Sequence, residues 1–273
     1  MPCPPSSPLK TVMLNTADIE VWPAGLLRAR SNRDARALSR ANHLLRRKRD
    51  GTYLAADLDV GLLPLVPNLH REPGLHLALD ALEAIPHLSR AGRMDQVGEL
   101  PLHGLHERLA ALDLDEADYA ARTGLNLVAE PDWLALAGLD RYRRALWLRI
   151  DAARAWRHLR EAALRDDVVL EAISGYRSHD YQLGIFERKL GRGLSIEDIL
   201  AVNAAPGFSE HHGGLALDIG TPGEPPAEES FERTAAFAWL GANANEHGFT
   251  MSYPRENPHG IVYEPWHWCF QPA

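Results

Sequence analysis

The fold is decided near the end of the chain, where residues 209–218 read SEHHGGLALD and residues 264–267 read EPWH. The imidazoles of His211 and His267 and the carboxylate of Asp218 form a ligand set typical of a catalytic zinc ion, which keeps one coordination position for water. Glu264 lies three residues before the last of these ligands and can act as a base toward that water. These segments therefore predict hydrolytic chemistry at a single zinc ion.

Both halves of this pattern need a break in strand alternation, because successive side chains of a regular strand point to opposite faces. His211 and Asp218 are seven residues apart and would face opposite sides of an unbroken strand. Gly213 and Gly214 are expected to turn the chain between them, since glycine accepts a positive φ. Pro265 cannot donate to a sheet ladder and predicts a second break just before the last ligand.

Further motifs follow in a fixed order toward the end of the chain. They are Ser174-Gly175-Tyr176-Arg177-Ser178 with Gln182, PGFSEH at 206–211, GLALD at 214–218, HGF at 247–249, Tyr253-Pro254, and YEPWHW at 263–268. In these motifs the sequence resembles the zinc D-alanyl-D-alanine carboxypeptidases of the vancomycin-resistance type, together with related L,D-carboxypeptidases and phage endolysins. The resemblance covers residues 140–273, which is about half of the chain.

The resemblance implies roles for individual residues. His211, Asp218 and His267 would bind zinc, and Glu264 would be the general acid and base. Arg177 would stabilise the oxyanion or hold the substrate carbonyl, a role that suits a permanently charged, forked guanidinium. The substrate-binding positions that the resemblance implies are Ser178, Gln182 and Ser209.

Two neighbours of these residues have plainer interpretations. His212 follows a ligand directly in sequence and is expected to point away from the metal. Cys269 is expected to be a small buried thiol, because a fourth protein ligand would close the site against water.

The leading hypothesis is a zinc carboxypeptidase that removes the terminal D-alanine of peptidoglycan stem peptides, with such a peptide as its partner. The alternatives are an L,D-carboxypeptidase that acts on tetrapeptides and an endopeptidase of the endolysin kind. An exopeptidase needs a group for the free carboxylate, whereas an endopeptidase needs an open groove. A zinc-bearing module without activity, which a resemblance to Hedgehog-type domains permits, is disfavoured by the intact Glu264 and Arg177.

Composition limits the class of protein. A chain of 273 residues with 45% hydrophobic content can bury a sizeable core, and its net charge of −8 argues against nucleic-acid binding. Two cysteines are too few for a disulfide framework. No apolar run approaches the roughly 18 residues of a membrane span. Residues 1–8 lack the pattern of a signal peptide, so the default location is cytoplasmic, with periplasmic or released action as alternatives.

The sequence predicts an α+β fold in two parts. Residues 131–273 are expected to form a Hedgehog/D,D-peptidase-like zinc domain, with helices packed against a mostly antiparallel sheet. Residues 1–130 are expected to be a mainly helical region of unknown role. That region includes a helix capped by Ser31 that runs through about Lys48, followed by short helices and loops in a proline-rich stretch.

Within the zinc domain, apolar residues recur at helical spacing over 140–164 and predict one long amphipathic helix. The run 168–174 resembles a buried strand that delivers Arg177 to the site. The other expected helices are 180–190, 196–203 and 231–246, and the other expected strands are 215–219, 249–253 and 261–270.

Overall fold

The computed structural model describes residues 11–90, 97–102 and 104–271. The strands are β1 Val12–Asn15, β2 Ile19–Pro23, β3 His43–Arg47, β4 Tyr53–Leu58, β5 Gly61–Pro64, β6 Trp133–Leu139, β7 Ala145–Leu148, β8 Glu171–Ser174, β9 Ala216–Gly220, β10 Phe249–Met251 and β11 His267–Phe270. The α-helices are α1 Asn32–Leu38, α2 Leu75–Arg90, α3 Leu105–Ala110, α4 Glu116–Thr123, α5 Ile150–Arg165, α6 His179–Leu190, α7 Ile196–Leu200 and α8 Ala235–Asn243. Mixed helices and antiparallel sheet confirm the α+β class.

The expectation of a mainly helical N-terminal region is not confirmed, because this region contains five strands beside the helices α1 to α4. Strands β1 to β5 join β6 and β7 in a seven-stranded antiparallel sheet with the order β5-β4-β3-β2-β1-β6-β7. The physical reason is visible in β4, whose first four residues, 53–56, are all buried. A short apolar run of this kind lacks the alternation of a half-exposed strand, and periodicity alone cannot separate it from a buried helix.

The helix after Ser31 begins as expected but ends early. The Ser31 hydroxyl accepts a hydrogen bond from the backbone N–H of Asp34 at 3.1 Å, which caps α1. The helix does not continue to Lys48, because His43–Arg47 pairs with a strand on each side and forms β3 instead.

The proline-rich stretch forms more helix than expected. After β5 ends at Pro64, a 3-10 turn is followed by α2, which is 16 residues long and contains Pro86. Ala78 of α2 is fully buried in the main core, and Leu75, Leu79 and Leu82 pack against it. Packing of this apolar face outweighs the local preference of the proline.

The long helix predicted over 140–164 is wrong in its first part. Residues Ala145–Leu148 form β7, which pairs with β6, and α5 starts only at Ile150. The carboxylate of Asp140 accepts hydrogen bonds from the backbone N–H groups of Tyr142 and Arg144, at 2.9 and 2.8 Å, and so closes the turn between the two strands.

A second, four-stranded antiparallel sheet has the order β10-β11-β9-β8. The helix expected over 180–190 is present as α6, whereas the helix expected over 196–203 is shorter and ends at Leu200 as α7. The helix expected over 231–246 is divided, because the Thr234 hydroxyl caps α8 and the flanking segments are 3-10 turns. The final strand starts only at His267.

One hydrophobic core joins the two sheets. It contains Leu14 of β1, Trp133 of β6, Trp156 of α5, Ala172 of β8 and Leu217 of β9. The seven-stranded sheet thus runs across the predicted boundary between residues 130 and 131, and the division into two domains stays a prediction.

The described part of the chain contains no helix that is both long enough and apolar enough to cross a bilayer. The N-terminal residues on which the expected location depends, 1–8, lie outside the described residues.

Candidate metal centre and peptidase site

Strand pairing brings two of the expected ligands together. Asp218 of β9 lies directly opposite His267 of β11 in the antiparallel register. His211 lies on a 3-10 turn, Glu210–Gly213, just before β9. One side-chain atom from each of the three residues lies within 4.8 Å of the others, so together they could hold a metal ion.

Gly214 makes the turn that the spacing requires. Its φ is +67°, and a Cβ there would lie 2.6 Å from the Leu134 side chain and 3.2 Å from the Arg149 backbone nitrogen. Both the backbone conformation and the close packing therefore favour glycine. The expected break between His211 and Asp218 is confirmed at this residue.

His211 presents one free nitrogen to the cluster. Its Nδ1 lies 2.8 Å from the carbonyl oxygen of Gly175, which fixes the tautomer by accepting the Nδ1 proton. Its Nε2 is buried, makes no hydrogen bond, and lies 3.4 Å from Oδ1 of Asp218. A buried imidazole nitrogen without a partner beside a carboxylate fits a metal ligand.

His267 is held from the opposite side. Its Nε2 lies 2.8 Å from a carboxylate oxygen of Glu210, and its Nδ1 lies 3.3 Å from Oδ1 of Asp218. The Tyr253 ring packs against the imidazole with ring centroids 4.8 Å apart. His267 therefore offers Nδ1 to a metal, whereas His211 offers Nε2.

The second oxygen of Asp218 is also occupied. Oδ2 accepts a hydrogen bond from the Ser174 hydroxyl at 2.6 Å and lies 3.8 Å from the Arg177 guanidinium. These contacts leave Oδ1 facing both imidazoles. The donor set is two nitrogens and one oxygen, which suits zinc.

Burial and neighbouring charges shift the pKa values of all three groups. Burial would raise the pKa of Asp218, but His211, His267 and Arg177 hold it well below its usual range. Burial lowers the pKa of His211 to about 4, and Arg177 adds to that effect. Burial would also lower the pKa of His267, but hydrogen bonds to Asp218 and Glu210 raise it to about 10. A cation that binds here would displace the His267 proton.

Glu264 reaches the cluster through a tight turn at Pro265 and Trp266. The backbone N–H of His267 donates to the carbonyl oxygen of Glu264 at 3.1 Å, and this turn replaces the first part of the strand expected over 261–270. One carboxylate oxygen of Glu264 then lies 3.8 Å from Nδ1 of His267. Burial raises the pKa of Glu264 to about 7, which suits a group that gains and loses a proton near neutrality.

Arg177 is fastened by its backbone beside the cluster. Its N–H donates to the carbonyl oxygen of His211 at 3.2 Å, and its own carbonyl lies 2.7 Å from Nδ1 of His212. The other nitrogen of His212 accepts from the backbone N–H of Gly207 at 3.1 Å. As expected, His212 turns away from the metal cluster, and it holds the arginine segment instead.

Two of the three expected substrate-binding residues lie at this site. Gln182 and Ser209 line a small cavity together with Arg177, His211 and Glu264. Gln182 donates to the carbonyl oxygen of Ala204 at 2.7 Å, whereas its own side-chain oxygen is buried without a partner.

Ser178 does not lie in that small cavity. Its hydroxyl caps α6 by accepting from the backbone N–H of Tyr181 at 3.1 Å. Cys269 is a free, buried thiol and is not part of the metal cluster.

Part of the chain is similar to a known family and to known proteins. Residues 145–273 match the model of the VanY family, described as D-alanyl-D-alanine carboxypeptidase. The bifunctional D-Ala-D-Ala dipeptidase and D-Ala-D-Ala carboxypeptidase VanXYC of Enterococcus gallinarum is 32% identical over 148 residues, which cover 52% of this chain and 75% of that protein. The chain belongs to the D-alanyl-D-alanine carboxypeptidase family. The resemblance drawn from the motifs is thereby confirmed.

This chain matches other relatives over a smaller share of their own length. YodJ of Bacillus subtilis (strain 168) is 38% identical over 124 residues, which cover 44% of this chain and 45% of that protein. The solved structure of the LdcB LD-carboxypeptidase is 32% identical and has a TM-score of 0.46, with 49% of this chain and 64% of that chain covered. The chain thus spans about half the length of YodJ.

Glu210 is a further residue of the candidate site, and the sequence analysis did not predict it. Its carboxylate holds Nε2 of His267 from 57 residues away, so only the folded chain brings the two together. The sequence offered one signal for this role, because Glu210 directly precedes the predicted ligand His211. A carboxylate that accepts a proton from a ligating imidazole orients the ring and raises its basicity.

Replacing Glu210 with glutamine is expected to lower zinc affinity by about 10- to 100-fold, because the neutral amide orients and polarises His267 less strongly. Competition with a chromophoric chelator measures this affinity directly. Glu187→Gln, on the exposed face of α6, is the matched control and should leave it unchanged. Equal affinities for the two variants would exclude the role given to Glu210.

Proposed function

We propose that this protein is a zinc-dependent carboxypeptidase that hydrolyses the terminal D-alanine of peptidoglycan stem peptides. The observation that carries the proposal is the cluster of His211 Nε2, Asp218 Oδ1 and His267 Nδ1 with the carboxylate of Glu264 beside it. Three ligands and one separate carboxylate are what metal-assisted peptide hydrolysis requires. Membership of the family supports the same assignment.

Each residue has a distinct part in the proposed reaction. Zinc held by the three ligands would supply a Lewis acid that polarises the scissile carbonyl and lowers the pKa of a water. Glu264 accepts the proton of the attacking water and returns it to the leaving amine. Arg177, whose guanidinium stays charged throughout, donates to the oxygen on which negative charge develops.

The surroundings of Glu264 support its part in proton transfer. A carboxylic acid with a pKa of about 7 can exist in either protonation state at neutral pH, and burial is the main cause of that value. A bound cation would lower this pKa and so favour the ionised form that accepts a proton. Asp218 cannot replace it as the base, because both of its oxygens face other groups.

Mass spectrometry of synthetic stem peptides tests the proposal. Zinc-loaded protein should release D-alanine from a pentapeptide that ends in D-alanyl-D-alanine, and chelated protein should not. Release from a tetrapeptide would assign L,D-carboxypeptidase activity, and cleavage of a cross-linked dimer alone would assign the endopeptidase alternative. If zinc-loaded protein cuts none of the three, the peptidase proposal fails and a zinc-bearing binding module takes its place.

Three narrower statements stay predictions from the sequence. These are the Hedgehog-like label for the zinc domain, the domain boundary at residue 130, and the cytoplasmic location with its periplasmic or released alternatives.

A further inference from the structure

A second cavity lies next to the small one, and Glu264 lines both. Its volume is about 310 Å³, and it shares Arg177, Val202, Asn203 and Glu264 with the smaller cavity of about 40 Å³ that contains Gln182 and Ser209. A peptide whose scissile bond lies beside Glu264 would therefore extend into both cavities. The residues that line the larger one are Arg177, Lys189, Val202, Asn203, Asp218, Ala227, Val262, Glu264 and Trp266.

Lys189 places a charged group in the wall of this cavity. It lies in the last turn of α6 and is partly buried, and its side-chain ammonium forms no hydrogen bond or ion pair with any residue in the described part of the chain. The other charged groups that face it are Arg177, Arg192 and Glu264. Burial lowers the pKa of Lys189, and the two arginines lower it further.

Neither carboxylate of the cavity, Asp218 or Glu264, forms an ion pair with Lys189, although Glu264 attracts its charge. Asp218 is engaged by Ser174, His211 and His267, and Glu264 carries the proton transfer of the proposed reaction. The rest of the wall combines the apolar side chains of Val202, Ala227, Val262 and Trp266 with the polar side chains of Arg177 and Asn203. A cation in such a wall attracts an anion more strongly than the same cation in open water does.

We propose that Lys189 binds a carboxylate of the peptide substrate in this cavity. The inference rests on the proposed function, because it assumes a peptide held across Glu264. A stem peptide offers two carboxylates that an ammonium group binds in the same way. They are the free C-terminal group, and a side-chain carboxylate on a residue near the scissile bond, as in diaminopimelate. Lys189 is thus a substrate-binding residue that selects peptides that carry this carboxylate.

Steady-state kinetics of Lys189→Met in the full-length, zinc-loaded protein tests this inference. Methionine keeps the length and apolar stem of the side chain and removes its charge. The KM for the matching peptide should rise by about 10- to 100-fold, the range expected when a hydrogen bond to a charged group is lost. The kcat and the zinc content should stay within about threefold of the wild type, and Lys189→Arg should recover most of the affinity.

Arg192→Met is the matched control. Arg192 is exposed, lies three residues from Lys189, and does not line the cavity. Removing it changes the local charge by the same amount, so a KM effect confined to Lys189 reports direct contact. If both variants raise KM equally, or if neither does, Lys189 is a solvated surface cation and the inference is wrong.

Peptide variants identify which carboxylate is bound. Peptides with a C-terminal amide, and peptides with lysine in place of diaminopimelate, each lack one candidate group. Wild-type protein should bind only one of these two modified peptides more weakly than the unmodified peptide. Lys189→Met should bind that modified peptide and the unmodified peptide equally well. Equal discrimination by wild type and Lys189→Met would overturn the inference.

Binding in an inactive background separates this inference from the proposed function. Calorimetry with Glu264→Gln and with the double variant Glu264→Gln/Lys189→Met compares peptide affinities without hydrolysis. One outcome is that the wild type cuts no peptide, while the double variant binds the peptide about tenfold more weakly than Glu264→Gln does. In that case the carboxylate site stands and the peptidase proposal fails. If peptides are cut and the two variants bind alike, the proposed function stands and Lys189 has no part in it.

Discussion

Glutamine in place of Glu264 is expected to lower the rate of peptide hydrolysis by about 10²–10⁴-fold, which is the usual contribution of a positioned general acid or base. The amide has nearly the same size but cannot accept the proton of the attacking water. Stopped assays of D-alanine release measure the rate, and elemental analysis measures the zinc content. Zinc should stay at the wild-type level, because Glu264 is the carboxylate left over when the three ligands are assigned.

The Glu246→Gln variant is the control for this result, since Glu246 is exposed and lies outside both cavities. It should hydrolyse the peptide at the wild-type rate. Loss of zinc from Glu264→Gln would make Glu264 a ligand rather than a base. Unchanged turnover would remove it from the proton transfer altogether.

Methionine in place of Lys48 is expected to lower the free energy of unfolding by about 3–5 kcal/mol, because it leaves the Glu130 carboxylate buried without its charged partner. The Lys48 ammonium lies 2.6 Å from Glu130, and the two side chains are 1% and 6% exposed. Burial would raise the pKa of Glu130, but Lys48 and His179 hold it far below its usual range. Chemical denaturation followed by circular dichroism measures the change in unfolding free energy.

The adjacent residue provides the control for Lys48. Arg47 forms ion pairs with Asp50 and Glu72 nearer the surface, and Arg47→Met should cost less than about 1 kcal/mol. A second change, Glu130→Gln in the Lys48→Met background, should restore part of the lost stability, because the buried group is then neutral. A loss for Lys48→Met as small as that for Arg47→Met would contradict the weight given to the buried pair.

The Glu130 carboxylate also explains what the first part of the chain contributes to the site. It accepts hydrogen bonds from Asn15 of β1, from Tyr176 and from the backbone N–H of His179. Tyr176 and His179 lie on either side of Arg177 and Ser178. The seven-stranded sheet therefore packs behind the arginine segment, and the first part of the chain completes the core that supports this segment.

The site was more predictable from the sequence than the fold was. His211, Asp218, Glu264 and His267 lie in two short segments whose chemistry is visible locally. The β9 and β11 pairing then brings the segments together. Glu210 was missed because its contact with His267 depends on tertiary structure alone. Ser178 stays a predicted substrate-binding residue, and its hydroxyl caps α6.

The sequence did not predict strands β1 to β5, and there is a physical reason for this. Strands such as β4 are short and mostly buried, so neither alternation nor length separated them from helices. The residues of β7 fitted a helical period only because they precede a true amphipathic helix, α5. Contacts between distant strands, rather than local preference, decide both segments.

Titration of metal-free protein with zinc, followed by the release of D-alanine from a stem pentapeptide, tests the central claim most directly. Release should rise in proportion to added zinc and level off at one equivalent per chain, and His267→Ala should need far more zinc. Release of D-alanine by chelated protein, or no release when one equivalent is bound, would contradict the claim that His211, Asp218 and His267 hold a catalytic zinc ion.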